Sequence, residues 1–300
     1  MNYFERIARL VHRRPVKHDE IRMPHPVGHF YSPVVDPAEI ATRAGSIWPT
    51  KPEVLGIDFN DASHRNLLEQ EFPKYFPKYD YQEHLEESPT LEAFFTQNSQ
   101  FSWLDSRAFF VLLQAWRPER ILEVGSGFST LLAADVKRRF LDGRLDITCI
   151  EPYPRPFLKH GFDGLTRLIE RKVQDVPLQE FERLQPGDIL FIDSSHVAKT
   201  GSDVNFLYFE VLPRLNAGVR IHVHDIFFPH DYPRDWVIEQ NRSWNEQYLL
   251  RALLMYTTAF DVVFSSSYAY WRFPELVRSA LAYPDGRSFG GGSIWLTRRH

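Results

Sequence analysis

The sequence predicts an α/β fold: a doubly wound, mostly parallel sheet preceded by an irregular N-terminal extension. Three observations carry this. From about residue 101, short apolar runs alternate with stretches of helical spacing, the pattern of strand–helix–strand units. One such run, Ile121-Leu122-Glu123-Val124, delivers Gly125-Ser126-Gly127 into a tight turn just before a helix begins. Before residue 101 the prolines Pro15, Pro24, Pro26, Pro33, Pro37, Pro49, Pro52, Pro73, Pro77 and Pro89 interrupt any period.

Within the extension, Met1–Arg14 places Tyr3, Phe4, Ile7, Leu10 and Val11 on one helical face beside arginines, which reads as an amphipathic helix rather than a secretory signal. His29-Phe30-Tyr31-Ser32-Pro33 and Phe72-Pro73-Lys74-Tyr75-Phe76-Pro77 are too aromatic for a solvated linker. Residues 1–100 are therefore read as an extension that wraps the core and serves as a lid. The core spans residues 101–300. Its elements in order are a helix over 104–115, strands over 120–124 and 146–150 flanking a helix over 128–140, and a third strand over 168–173. A fourth strand over 188–192 leads to a helix over 203–215, which stops at Asn216-Ala217-Gly218. A fifth strand over 219–223, a helix over 245–256 and strands over 260–264 and 293–297 complete it.

Composition narrows the function. The 300 residues are 43% hydrophobic and 25% charged, so the chain buries a core rather than remaining disordered. A net charge of −4 gives no general basis for nucleic acid as a partner. No run approaches the length needed to cross a bilayer, and the chain reads as cytoplasmic; homo-oligomerisation is left open. The single cysteine, Cys149, can form neither an internal disulfide nor a cysteine-based zinc site. The 24 Phe, 13 Tyr, 7 Trp and 12 His point to aromatic-lined surfaces with imidazoles among them.

In a doubly wound sheet, ligands bind at the carboxyl ends of the strands. There the sequence sets Glu123 two residues before the glycine turn, where a carboxylate suits an amino-acid ammonium. Glu151 ends the second strand, where it can accept bonds from both hydroxyls of a ribose. Pro152 and Tyr153 could pack on an adenine face, and Gln174-Asp175 could read its edge. Thr130 stands where a dinucleotide fingerprint needs its third glycine, which disfavours a nicotinamide-dependent oxidoreductase.

Glu123-Val124-Gly125-Ser126-Gly127, Ile150-Glu151-Pro152, Asp188-Ile189-Leu190-Phe191-Ile192-Asp193 and Val223-His224-Asp225 together resemble the class I S-adenosylmethionine-dependent methyltransferase family, over about residues 101–300. The resemblance implies a Rossmann-like, seven-stranded sheet whose last strand runs antiparallel. It implies S-adenosylmethionine (SAM) as cofactor, bound through Glu123, Gly125, Ser126, Gly127, Glu151, Asp175 and Asp193.

Asp193-Ser194-Ser195-His196 and His222-Val223-His224-Asp225 end two strands expected to be adjacent, so His196, His224 and Asp193 are the expected catalytic groups. Metal-dependent O-methyltransferases of the catechol and macrolide-sugar kinds place acids after the same two strands, which implies a metal set of Asp193, His224 and Asp225. Ile226 and His224 depart from the side chains those enzymes use, and imidazole favours Mn or Fe over Mg. The sequence thus predicts methyl transfer to a small molecule, most simply at a hydroxyl activated by a divalent metal or a histidine base. Transfer to nitrogen and a non-catalytic SAM- or nucleotide-binding module are the alternatives. The aromatic loop Ile226–Trp236 and residues Trp244, Tyr248 and Tyr268–Trp271 are read as acceptor walls, with His230 and Arg234 as polar handles.

Overall fold

The computed structural model describes residues 23–101, 103–281 and 291–300; the amphipathic stretch Met1–Arg14 lies outside them. Seven strands form one sheet: β1 (Arg120–Val124), β2 (Asp146–Ile150), β3 (Arg167–Ile169), β4 (Ile189–Ile192), β5 (Arg220–His224), β6 (Phe260–Ser265) and β7 (Ser293–Arg298). Their order is β3-β2-β1-β4-β5-β7-β6, with β7 antiparallel to both its neighbours and the rest parallel. Chain order reverses between β1 and β4, which opens a crevice at their carboxyl ends. Strands β4 and β5 lie inside the sheet and are buried on both faces; β4 is a continuous apolar run, whereas β5 alternates Ile221 and Val223 with the buried His222 and His224. The third strand is shorter than the sequence suggests. Glu170, Arg171 and Lys172 are too polar to extend an edge strand, and Val173–Asp175 instead forms a single 3₁₀ turn.

Helix α1 (Asp61–Asn66) lies against the edge of the sheet, and three further helices matter for the site: α2 (Trp103–Trp116), α3 (Phe128–Phe140) and α4 (Glu246–Tyr256). Helix α2 is buried on nearly every side, which its hydrophobic run Ala108–Leu113 foretells. The helix expected over 203–215 begins at Asp203, capped by Ser202, then widens to a π turn at Leu207–Val211 and tightens at Leu212–Arg214, where Pro213 lacks an N–H.

Two compact units emerge. One takes the described residues up to Ile47 together with Arg234–Ser243; the other comprises Trp48–Pro233 and Trp244–His300. In the first unit, Asp36 caps the helix Pro37–Thr42 by accepting from the Ala38 N–H, and the Val35 N–H donates to Ser243 Oγ at 3.3 Å. The second unit begins well before residue 101, because the sheet cannot be covered without residues 48–100. Phe59, Leu68, Phe72, Phe94 and Phe95 are all buried in its core. Tyr81 donates to Asp135 on α3 at 2.6 Å. At the edge strand β6, Asn60 Nδ2 and Ser63 Oγ donate to the carbonyls of Val262 and Val263. That contact satisfies carbonyls a bare edge would leave open. The boundary read at residue 100 therefore falls inside a packed unit, and the proline-rich composition that suggested it reflects irregular backbone on a sheet face.

Candidate active site

The turn after β1 is built by close approach. Gly125 has φ +77°, and a β-carbon there would lie 1.7 Å from the backbone oxygen of Asp193 at the end of β4. Only glycine lets the two strand ends meet this closely. Behind the turn, Glu123 is fully buried. Ser129 donates to one of its oxygens, Thr130 to the other at 2.7 Å, and Cys149 lies at 3.5 Å. Burial, opposed by these hydroxyls, raises its pKa to about 7. Glu123 therefore braces the start of α3 from beneath, and its carboxylate does not reach the crevice as an ammonium partner would need. The Thr130 that stands in place of a third glycine belongs to the same brace, since its hydroxyl also accepts from the Gly127 N–H.

Above the turn, a cavity of about 530 Å³ is lined by Gly125, Glu151, Tyr153, Gln174, Asp193 and Lys199 among others. Glu151 accepts from the N–H of Tyr153 at 2.8 Å and of Ser126 at 3.3 Å. These bonds hold its carboxylate across the glycine turn. Asp175 is exposed and does not line the cavity; its neighbour Gln174 does, donating to the Gly201 carbonyl. The 3₁₀ turn at 173–175 produces this exchange by pointing consecutive residues in different directions. Ser126 and Gly127 lie in the turn below the cavity, and neither is among the residues lining it.

At the far end of the cavity, Asp193 leads into a cluster of charged groups. His196 Nε2 is 3.3 Å from both Asp193 Oδ1 and Asp225 Oδ2, and its Nδ1 is 2.9 Å from Glu246 Oε2. His224 Nε2 lies 3.7 Å from Asp225 Oδ1. Two strained backbones make this possible: His196 at φ +60° and Asp225 at φ +56°, a conformation disfavoured for side chains other than glycine. Strand alternation would send Asp225 away from His224, and the left-handed turn brings it back. One ligand atom each from Asp193, His196 and Asp225 lies within 4.8 Å of the others. His196, rather than His224, thus completes the set that could hold a metal.

Electrostatics tie the cluster together. Burial works against charge on His196, yet Asp193, Glu246 and Asp225 hold its pKa well above the ordinary value. Burial would raise Asp193, but His224 and His196 keep it below the usual carboxylate range. Burial raises Asp225 in spite of His224 and His196. His224 is raised as well, because Asp225 and Asp193 outweigh its burial. His222 behaves differently: burial pushes it well down, and its ring is packed 3.9 Å from Phe191 and 4.6 Å from Trp295, as a neutral core residue.

Two members escape sequence reasoning. Glu246 lies 50 residues from His196, and Asp105 on α2 accepts from Gly292 N and Ser293 Oγ while adding to the field at His224. A signal for Glu246 existed: it sits four and eight residues before the buried Leu250 and Leu254, an acid on the core face of a helix. The aromatic residues near the cluster are organised. Trp244 packs on His196 at 4.4 Å, and Tyr232 packs edge-on to Tyr248 at 5.8 Å.

A methyltransferase-domain family model matches residues 122–226, the stretch from β1 to just beyond β5. An uncharacterized protein of Archaeoglobus fulgidus is 40% identical over 164 residues, 53% of this chain and 73% of its own. The O-methyltransferase TomG of Streptomyces achromogenes, involved in tomaymycin synthesis and solved with SAM, is 14% identical, covers 87% of this chain and 96% of its own, and has a TM-score of 0.38. An O-methyltransferase of Bacillus cereus in complex with S-adenosylhomocysteine is 16% identical, covers 87% and 97%, and has a TM-score of 0.34. Residues 122–226 thus carry a methyltransferase domain, set in a seven-stranded, mostly parallel sheet. No helix among the described residues is long and apolar enough to cross a membrane.

Proposed function

We propose that the enzyme methylates a hydroxyl of a small molecule, with Asp193, His196 and Asp225 at its chemical centre. The observation that carries this reading is the convergence of two carboxylates on one imidazole nitrogen, each at 3.3 Å, beside a cavity that Asp193 itself lines. In this reading Glu151 binds the ribose of SAM, Gly125 admits its backbone-facing side, and Gln174 meets the adenine edge. Methyl transfer is an in-line displacement: the acceptor oxygen bonds the methyl carbon as the carbon–sulfur bond breaks, leaving S-adenosylhomocysteine. The hydroxyl proton passes to the charged cluster, and binding the acceptor in line is the remaining task of the chain.

The donor set suits a divalent cation. With His196 Nδ1 engaged by Glu246, Nε2 is the nitrogen facing both aspartates, and two carboxylates with one imidazole favour Mn or Fe over Mg. Such a cation, when bound, lowers the pKa of the acceptor hydroxyl. The aromatic side chains Tyr232, Trp244 and Tyr248 then supply flat apolar walls, which suit a ring-bearing acceptor. The test is S-adenosylhomocysteine production from panels of phenols, catechols, sugars and amines, with Mn²⁺ or with excess EDTA. Turnover of a hydroxyl acceptor that disappears in Asp225→Asn and in EDTA supports the reading. Full activity in EDTA removes the cation and leaves the imidazole, and turnover of amines alone overturns transfer to oxygen.

A further inference from the structure

We infer that Glu246 is a positioning residue that fixes His196 with Nδ1 protonated, so that Nε2 faces Asp193 and Asp225. The inference deepens the proposed chemistry and rests on His196 belonging to that centre.

The start of α4 is built around the loop that follows β4. The N–H groups of Asn245 and Glu246 both donate to the carbonyl of His196, at 3.0 and 3.1 Å. Asn245 Oδ1 accepts from the Ala198 N–H at 2.6 Å, and its Nδ2 donates back to the Ala198 carbonyl at 3.3 Å. The backbone of His196 is thereby pinned in its left-handed conformation. The ring is pinned separately, between Trp244 at 4.4 Å and the Glu246 carboxylate at 2.9 Å. Glu246 is itself wholly inaccessible to solvent. Its other neighbours are Ser194 Oγ at 3.4 Å and the buried hydroxyl of Tyr208.

A carboxylate buried this deeply is costly unless it serves a charged or strongly polarised donor. It accepts here from one ring nitrogen, and that choice decides which nitrogen meets the aspartates. Without it, a neutral imidazole facing two carboxylates would place its N–H toward them and carry its lone pair away. With it, the lone pair or charge of Nε2 is directed at the chemical centre. A carboxylate behind a functional imidazole also raises the basicity of the nitrogen opposite. The first-turn position adds a fixed stabilisation of the Glu246 charge through the helix dipole.

The test is nitrogen-15 NMR of histidine-labelled full-length protein with S-adenosylhomocysteine, the His196 signals assigned by their loss in His196→Gln. The expected wild-type spectrum has Nδ1 protonated. Glu246→Gln, whose amide oxygen still accepts, keeps that state, while Glu246→Leu leaves Nδ1 unprotonated and the remaining proton on Nε2. An unprotonated Nδ1 in the wild type overturns the inference, and so does a His196 spectrum unchanged in Glu246→Leu. If Glu246→Leu does not fold, the wild-type and Glu246→Gln spectra decide alone. A second readout is Mn²⁺ affinity by electron paramagnetic resonance, expected to fall about 10- to 100-fold in Glu246→Leu with S-adenosylhomocysteine affinity retained. Equal Mn²⁺ affinity in wild type and Glu246→Leu also counts against the positioning role. A wild type that ignores Mn²⁺ refutes the cation in the proposed function, and the NMR result still decides the role of Glu246.

Discussion

Gly125 is where a single carbon would separate the cofactor turn from the strand beside it. Gly125→Ala combines a positive φ, which costs about 1–3 kcal/mol for other residues, with a contact of 1.7 Å to the Asp193 carbonyl that only backbone movement relieves. The variant is expected to unfold at lower denaturant and to lose S-adenosylhomocysteine binding; wild-type behaviour in both assays would show that the turn tolerates a side chain. Glu123 makes a different prediction. Its pKa in the folded state, about 7, lies above the ordinary 4.5, so the folded protein holds the proton more tightly than the unfolded chain. This contribution to stability is complete below about pH 4.5 and is lost as pH rises through 7, a change of about 3 kcal/mol. Glu123→Gln should flatten that part of the stability profile between pH 5 and pH 8 as measured by chemical denaturation. An unchanged slope would mean the buried carboxylate is not the source. These two residues also mark what the sequence could reveal. The glycine and the two strand-end aspartates were legible because strand, turn and helix are local events. The direction in which Glu123 points was not, since the hydroxyls that claim it emerge only when α3 packs over β1.

At the scale of elements, local periodicity placed every strand but β3, and the helices α2, α3 and α4, to within one or two residues. Short helices such as Pro156–His160, Ser266–Arg272 and Pro274–Ala280 went unread because too few turns establish a period. Misreadings fell where chemistry changes along an element: β3 ends early at a charged run, and the helix after Asp203 changes pitch before Pro213. The charged cluster was half legible. Asp193, His196, His224 and Asp225 follow from two strand ends that a parallel sheet sets side by side. Glu246 and Asp105 come from helices whose docking no local pattern states. The same limit applies to the segment before α2, where Phe72 is fully buried although its surroundings are broken by prolines. Phe72→Ala should cost about 3–5 kcal/mol, the range for a large aromatic removed from a packed core. A loss below 1 kcal/mol in urea unfolding would place this segment outside the cooperative unit.

For the whole molecule, the compact unit that holds the sheet starts at Trp48, and it includes residues that composition alone assigned to an extension. A protein beginning at residue 101 lacks Phe59, Leu68, Phe72, Phe94 and Phe95 and exposes the surfaces they cover. It is expected to aggregate or to lose near-ultraviolet circular dichroism; a folded, monodisperse product would show that these residues are dispensable. The proposed donor site, by contrast, follows from strand order, with β1, β2 and β4 offering their carboxyl ends to one cavity. Calorimetric titration of the full-length protein with S-adenosylhomocysteine, wild type beside Glu151→Ala, tests that arrangement most directly. Saturable binding by the wild type, weakened at least about 10-fold when the Glu151 carboxylate and its charged hydrogen bonds are removed, is the predicted result; no binding by the intact protein, or equal affinity in the two, would contradict it.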